Sequence, residues 1–66
     1  MLLKEFLKAV FEKKVTIYQE RDADYIDYMD LYFGAPNNVP NELMNKTVRI
    51  VWAKGKSHLS VEVEPE

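Results

Sequence analysis

The stretch that most constrains this chain lies near its C-terminus. His58-Leu59-Ser60-Val61-Glu62-Val63-Glu64 sets Leu59, Val61 and Val63 against His58, Ser60, Glu62 and Glu64 without a break, the period of two that marks a half-buried β-strand. Thr47-Val48-Arg49-Ile50-Val51-Trp52-Ala53 alternates in the same way, with Val48, Ile50 and Trp52 as the inward set. Lys54-Gly55-Lys56-Ser57 joins the two runs into a β-hairpin. A type II′ turn on Gly55-Lys56 puts Trp52 opposite Leu59, Ile50 opposite Val61 and Val48 opposite Val63. It also sets Arg49 against Glu62 on the outer face, a cross-strand ion pair worth about 0.2–1 kcal/mol. A slip of one residue would bring the apolar set of one strand against the polar set of the other.

Upstream, residues 2–12 place Leu3, Phe6, Leu7 and Val10 at helical spacing, with Leu2 and Phe11 widening the stripe. Lys4 and Lys8 form a like-charge i, i+4 pair and add nothing to that helix. Val15-Thr16-Ile17-Tyr18-Gln19-Glu20 turns to β-branched and aromatic residues, with Val15 and Ile17 on one face. Glu20-Arg21-Asp22-Ala23-Asp24 reads as a turn. Tyr25-Ile26-Asp27-Tyr28-Met29-Asp30-Leu31-Tyr32-Phe33 supports two readings. Periodicity favours a helix that gathers Tyr25, Ile26, Met29, Tyr32 and Phe33 on one side. Composition and the preceding polar turn favour a strand, which completes a hairpin and is the reading taken. Gly34-Ala35-Pro36-Asn37-Asn38 is a loop, and Pro40-Asn41-Glu42-Leu43-Met44-Asn45 reads as one helical turn.

Together these predict a single α+β domain over residues 1–66. An N-terminal helix packs on a three- or four-stranded antiparallel sheet with a C-terminal hairpin and a short helical turn near 40–45. The core set is Leu3, Phe6, Leu7, Val10, Val15, Ile17, Val48, Ile50, Trp52, Leu59, Val61 and Val63. One helix covers one sheet face only, which leaves Val51 and Tyr18 or Tyr28 on the other.

The order of elements carries a resemblance. LKEFLKAV is followed by Val15-Thr16-Ile17-Tyr18, an aromatic run ending in Tyr32-Phe33-Gly34, the stretch Val39-Pro40-Asn41-Glu42-Leu43, and a terminal hairpin. It resembles short uncharacterised proteins of Gram-positive bacteria and their phages, in which a strand ending near Gly leads through (V/I)P-x-x-L into the last two strands. The resemblance implies one helix on an antiparallel sheet and a phage or mobile-element origin. It implies no activity and no functional residues.

Composition narrows the function classes. A chain of 66 residues buries only about 60% of the surface its unfolded form exposes, so its stability is marginal. It has no cysteine and one histidine, which removes disulfides and thiolate metal sites. Core packing and self-association remain as sources of stability. Nine Lys plus Arg against eleven Asp plus Glu give a net charge of −2, whereas nucleic-acid-binding domains usually show a basic stripe or a pI above about 9. The basic residues Lys46, Arg49, Lys54 and Lys56 read as solvated lysines and arginine defending an edge hairpin. No run reaches the ~18–20 apolar residues of a membrane span, and Lys4, Glu5 and Lys8 interrupt a signal-peptide core. A soluble cytoplasmic protein is expected.

The sequence carries no phosphate-binding glycine loop, G-x-S-x-G or HExxH motif. Glu20, Asp22, Asp24, Asp27 and Asp30 do not fit a calcium loop: counting from Asp22, the sixth position holds Asp27 instead of Gly and the twelfth holds Phe33 instead of Glu. His58 has Ser57 and Ser60 as neighbours but no nucleophile motif, and reads as an exposed hairpin histidine. No catalysis, metal or cofactor is predicted.

Tyr18, Tyr25, Tyr28 and Tyr32 exceed what a small core needs, and such residues serve protein interfaces well. The leading reading is a non-enzymatic interaction module that self-associates. Its interaction residues are Tyr18, Asp24, Tyr25, Asp27, Tyr28, Asp30 and Tyr32. The partner is another protein or a second copy, in preference to nucleic acid, a membrane or a small molecule. The alternative is an acidic mimic of nucleic acid that acts on a nucleic-acid enzyme through Asp22–Asp30. On a strand, alternate carboxylates stand ~6.6–6.8 Å apart, close to phosphate spacing.

Overall fold

The computed structural model describes residues 1–10, 14–22 and 25–65, with 21, 22 and 25–27 described by their backbone only. Its elements are a short helix α1 (Leu3–Leu7), strands β1 (Lys14–Asp22) and β2 (Tyr25–Gly34), 3₁₀ turns at Pro36–Asn38 and Asn41–Leu43, and strands β3 (Val48–Gly55) and β4 (His58–Val63). The four strands form one sheet in the order β2-β1-β4-β3. The two hairpins, β1–β2 and β3–β4, are antiparallel as predicted, but they join through a parallel pairing of β1 with β4. The sheet is therefore mixed, and the prediction of an all-antiparallel sheet is corrected.

Residues 35–47 cause this. β2 ends with Gly34 beside Val15, at the end of the sheet where β1 begins. β3 begins with Val48 beside Val63, at the opposite end. The chain between them must climb the full height of the sheet, a crossover of the kind that parallel strands require. β2 and β3 then run in the same direction along the two edges, and β4 returns next to β1.

The crossover also supplies cover. Val39 and Leu43 join Leu3, Val15, Ile17, Val61 and Val63 in the core, with Phe6, Leu7, Val10, Leu31, Tyr32, Met44, Val48 and Leu59 packed against it. Helix α1 is shorter than the predicted span of 2–12; Phe11 and Glu12 lie outside the described residues. Its free N–H groups are taken up by the crossover, Leu3 N donating to Lys46 O at 2.8 Å and Lys4 N to Met44 O at 3.0 Å. Its last turn tightens through Ala9 N to Phe6 O and Val10 N to Leu7 O. A helix this short owes its stability to tertiary packing.

β3 shows what parity alone missed. Val48 pairs with Val63 as predicted, but Ile50 pairs with Glu62, Val51 with Val61, Trp52 with Ser60 and Ala53 with Leu59. A bulge at Arg49 offsets the register by one, and a second at Lys54 offsets it again before Gly55 pairs with His58. The turn is Lys56-Ser57 instead of Gly55-Lys56. Ile50 and Trp52 are thus rotated out of the predicted core, and Val51 faces the core side in place of the uncovered one. Arg49 still meets Glu62, Nε to Oε2 3.5 Å, and as a bulge residue it also reaches Glu20, 3.6 Å.

The strand reading of residues 25–33 holds, with its own bulge. Ile17 pairs with Tyr32 and Tyr18 with Asp30, leaving Leu31 as the extra residue. Leu31 and Tyr32 both pack on the core, while Phe33, beside Thr16, turns to the other face.

Gly34 has φ +150°, and a Cβ there would meet the Tyr32 hydroxyl at 2.8 Å, the same hydroxyl that donates to Ala35 O at 2.7 Å. Gly34→Ala should therefore destabilise the fold by about 1–3 kcal/mol. Gly55→Ala, where nothing lies within 4 Å, serves as control. Urea unfolding of the two variants checks this.

The uncovered face as candidate functional site

Successive residues of a strand point to opposite faces, so the pairing of the core fixes what lies behind it. Thr16 and Tyr18 alternate with Val15 and Ile17 on β1, and Ser60 and Glu62 with Val61 and Val63 on β4. Phe33, Asp30 and Tyr28 join them from β2, and Trp52 and Ile50 from β3. No described element covers this face. Phe33 (58%), Tyr28 (47%), Ile50 (46%) and Trp52 (45%) are exposed there.

The face is not flat. One row across the sheet reads Phe33, Thr16, Ser60, Trp52, large at both edges and small at the centre. The edge aromatics stand as walls and the two small side chains form a floor. With strands about 4.8 Å apart, this row encloses a slot. Its volume is about 440 Å³, and its lining adds Tyr18, Tyr28, Asp30, Lys54 and His58. The rings brace one another: Tyr18 meets Tyr28 edge-to-face at 5.3 Å and Trp52 at 5.8 Å, and Phe33 meets the His58 ring at 5.3 Å. Lys14 Nζ lies over Phe33, 5.4 Å from its centroid, a cation–π contact.

The floor is polar. His58 Nε2 and Thr16 Oγ1 share a hydrogen bond of 2.6 Å, so His58 is tied to Thr16 and not to either neighbouring serine. Glu62 is buried and held by Arg49. The hydroxyls of Tyr18 and Ser60 are buried with no hydrogen-bond partner, although the residues are only 6% and 1% exposed. Burial, followed by the nearby Glu62 carboxylate and Tyr28, raises the Tyr18 pKa above its usual value. The charges are polarised along the strands: Lys14 and Lys54 lie at one end of the face, Glu20, Asp30 and Glu62 toward the other. Among the described residues, no cluster of three or more His, Asp or Glu side chains could hold a metal ion, and no helix is long and apolar enough to cross a membrane.

Of the residues singled out by sequence, Tyr18, Tyr28 and Asp30 come together on this face. Tyr32 does not; it packs on the core side with its hydroxyl on Ala35. Asp24 and the side chains of Tyr25 and Asp27 lie outside the described residues. Sequence reasoning missed Phe33, Trp52, Ile50, Thr16, Ser60 and the role of His58. The large–small–small–large row that would have found them appears only once the bulges at Leu31 and Arg49 are known.

Because the Tyr18 and Ser60 hydroxyls contribute no internal hydrogen bond, Tyr18→Phe and Ser60→Ala should each leave stability unchanged or raise it by up to about 1 kcal/mol. A fall of that size in urea unfolding would show that both are structural. The folded state holds the Tyr18 proton more tightly than the unfolded chain does, so stability should fall as pH rises past about 10 toward the raised pKa. Tyr18→Phe should flatten this alkaline limb, as measured by unfolding between about pH 9 and 11. No protein-family model matches the chain, and neither does any curated protein or solved structure.

Proposed function

We propose that this chain is a small non-enzymatic interaction module that works through the uncovered face of its sheet, with a second copy of itself as the partner. The observation that carries this is the exposure of Phe33, Tyr28, Ile50 and Trp52 on one face. Burying such side chains is worth about 1.5–3 kcal/mol each, and a chain of 66 residues has few other sources of stability. The polarity of charge supports a copy of the same chain as partner. A two-fold axis that reverses strand direction sets the Lys14–Lys54 end of one face against the Glu20–Asp30 end of the other, as a self-complementary interface needs.

Sedimentation at about 100 µM, in the weak-affinity range, should give a dimer. Trp52→Ala and Phe33→Ala should shift it toward monomer, and added salt should weaken it. A strict monomer at that concentration overturns self-association.

A further inference from the structure

We propose that the slot on the uncovered face is a binding site for a small planar heteroaromatic molecule bearing an acidic substituent. Residue types alone pointed away from a small ligand, because the slot exists only through the bulges. The geometry has three parts. The cavity of about 440 Å³ lies within the range of about 300–1,000 Å³ typical of small-molecule sites. Its walls are aromatic faces and edges of Trp52, Phe33 and Tyr28, which favour a flat occupant. Tyr18 and Ser60 line it, and their hydroxyls are buried beneath its surface with no partner in the protein.

Buried hydroxyls without partners are uncommon in folded proteins and call for an explanation. Two of them beneath one cavity find it in a ligand whose ring edge offers a donor and an acceptor. The ends of the slot differ in charge. Lys54 lines one end and suits the acidic substituent, while Asp30 lines the other and can accept from a ring N–H or amino group. An aromatic carboxylate and a nucleoside monophosphate share this chemistry.

The proposal rests on the uncovered face being the working surface, and not on self-association. The test uses ¹H–¹⁵N NMR at a protein concentration where sedimentation shows monomer. The probes are quinoline-2-carboxylate, its carboxamide and adenosine 5′-monophosphate.

Binding of either acid should shift the Trp52 indole N–H and the Thr16 and Ser60 amides, and the responding acid identifies the source of the ligand. Ser60→Ala and Tyr18→Phe, which keep the fold, should each weaken binding about tenfold, the equivalent of one lost hydrogen bond. Lys54→Gln should remove the preference for the carboxylate over the carboxamide. If neither acid shifts these signals at about 5 mM, or if the floor substitutions leave affinity unchanged, the proposal is overturned. A dimer by sedimentation with no probe binding would retain the interaction reading and discard this one. Binding by a chain that stays monomeric would do the reverse.

Discussion

The architecture depends on a shortage of cover. Among the described residues, α1 and the 35–47 crossover close one face of the four-stranded sheet and no element closes the other. Everything apolar and aliphatic on the central strands, Val15, Ile17, Leu59, Val61 and Val63, faces that layer. The other face holds what the central strands can leave open, hydroxyls and carboxylates, with rings standing at the edges. Parallel pairing of β1 and β4 follows from the same economy, because the crossover that brings the chain back to start β3 is the segment that covers the core.

The two faces are stabilised by different physics. On the covered side, aliphatic burial dominates, with backbone bonds from Leu3 and Lys4 anchoring the helix to the crossover. On the open side the contacts are ring against ring, Lys14 over Phe33, Thr16 with His58, and Arg49 between Glu20 and Glu62. These hold side chains in place without sealing the surface. The unpartnered hydroxyls of Tyr18 and Ser60 add nothing to internal stability.

Much of the fold was legible in the sequence. The alternation of β4, the β1–β2 hairpin, the short turn after Pro40 and the core residues Leu3, Val15, Ile17, Val61 and Val63 follow from periodicity and turn chemistry, whereas Val39 and Leu43, brought in by the crossover, do not. The one-sided cover also follows from counting elements. The site was less legible, for one physical reason: parity propagates along a strand only while the ladder is unbroken. Arg49 and Leu31 each break it by one residue. Trp52, Ile50 and Phe33 consequently face where alternation does not put them, and Tyr32 leaves the tyrosine group for the core side. The Arg49–Glu62 contact survives the change of register because a long guanidinium side chain reaches Glu62 from the bulge.

Arg49 and Lys54 bracket residues 50–53, which are turned over as a block relative to a regular hairpin. Deleting Arg49 would leave Ile50 opposite Glu62 and Trp52 opposite Ser60, whereas drawing Arg49 into the ladder opposite Glu62 would bring Ile50 and Trp52 to the covered side in exchange for Val51 and Ala53. The character of the whole face thus hangs on whether one residue, Arg49, bulges out of the ladder. Changes that make or abolish a bulge in β3 are those by which such a chain gains or loses an aromatic surface while keeping the rest of its sheet.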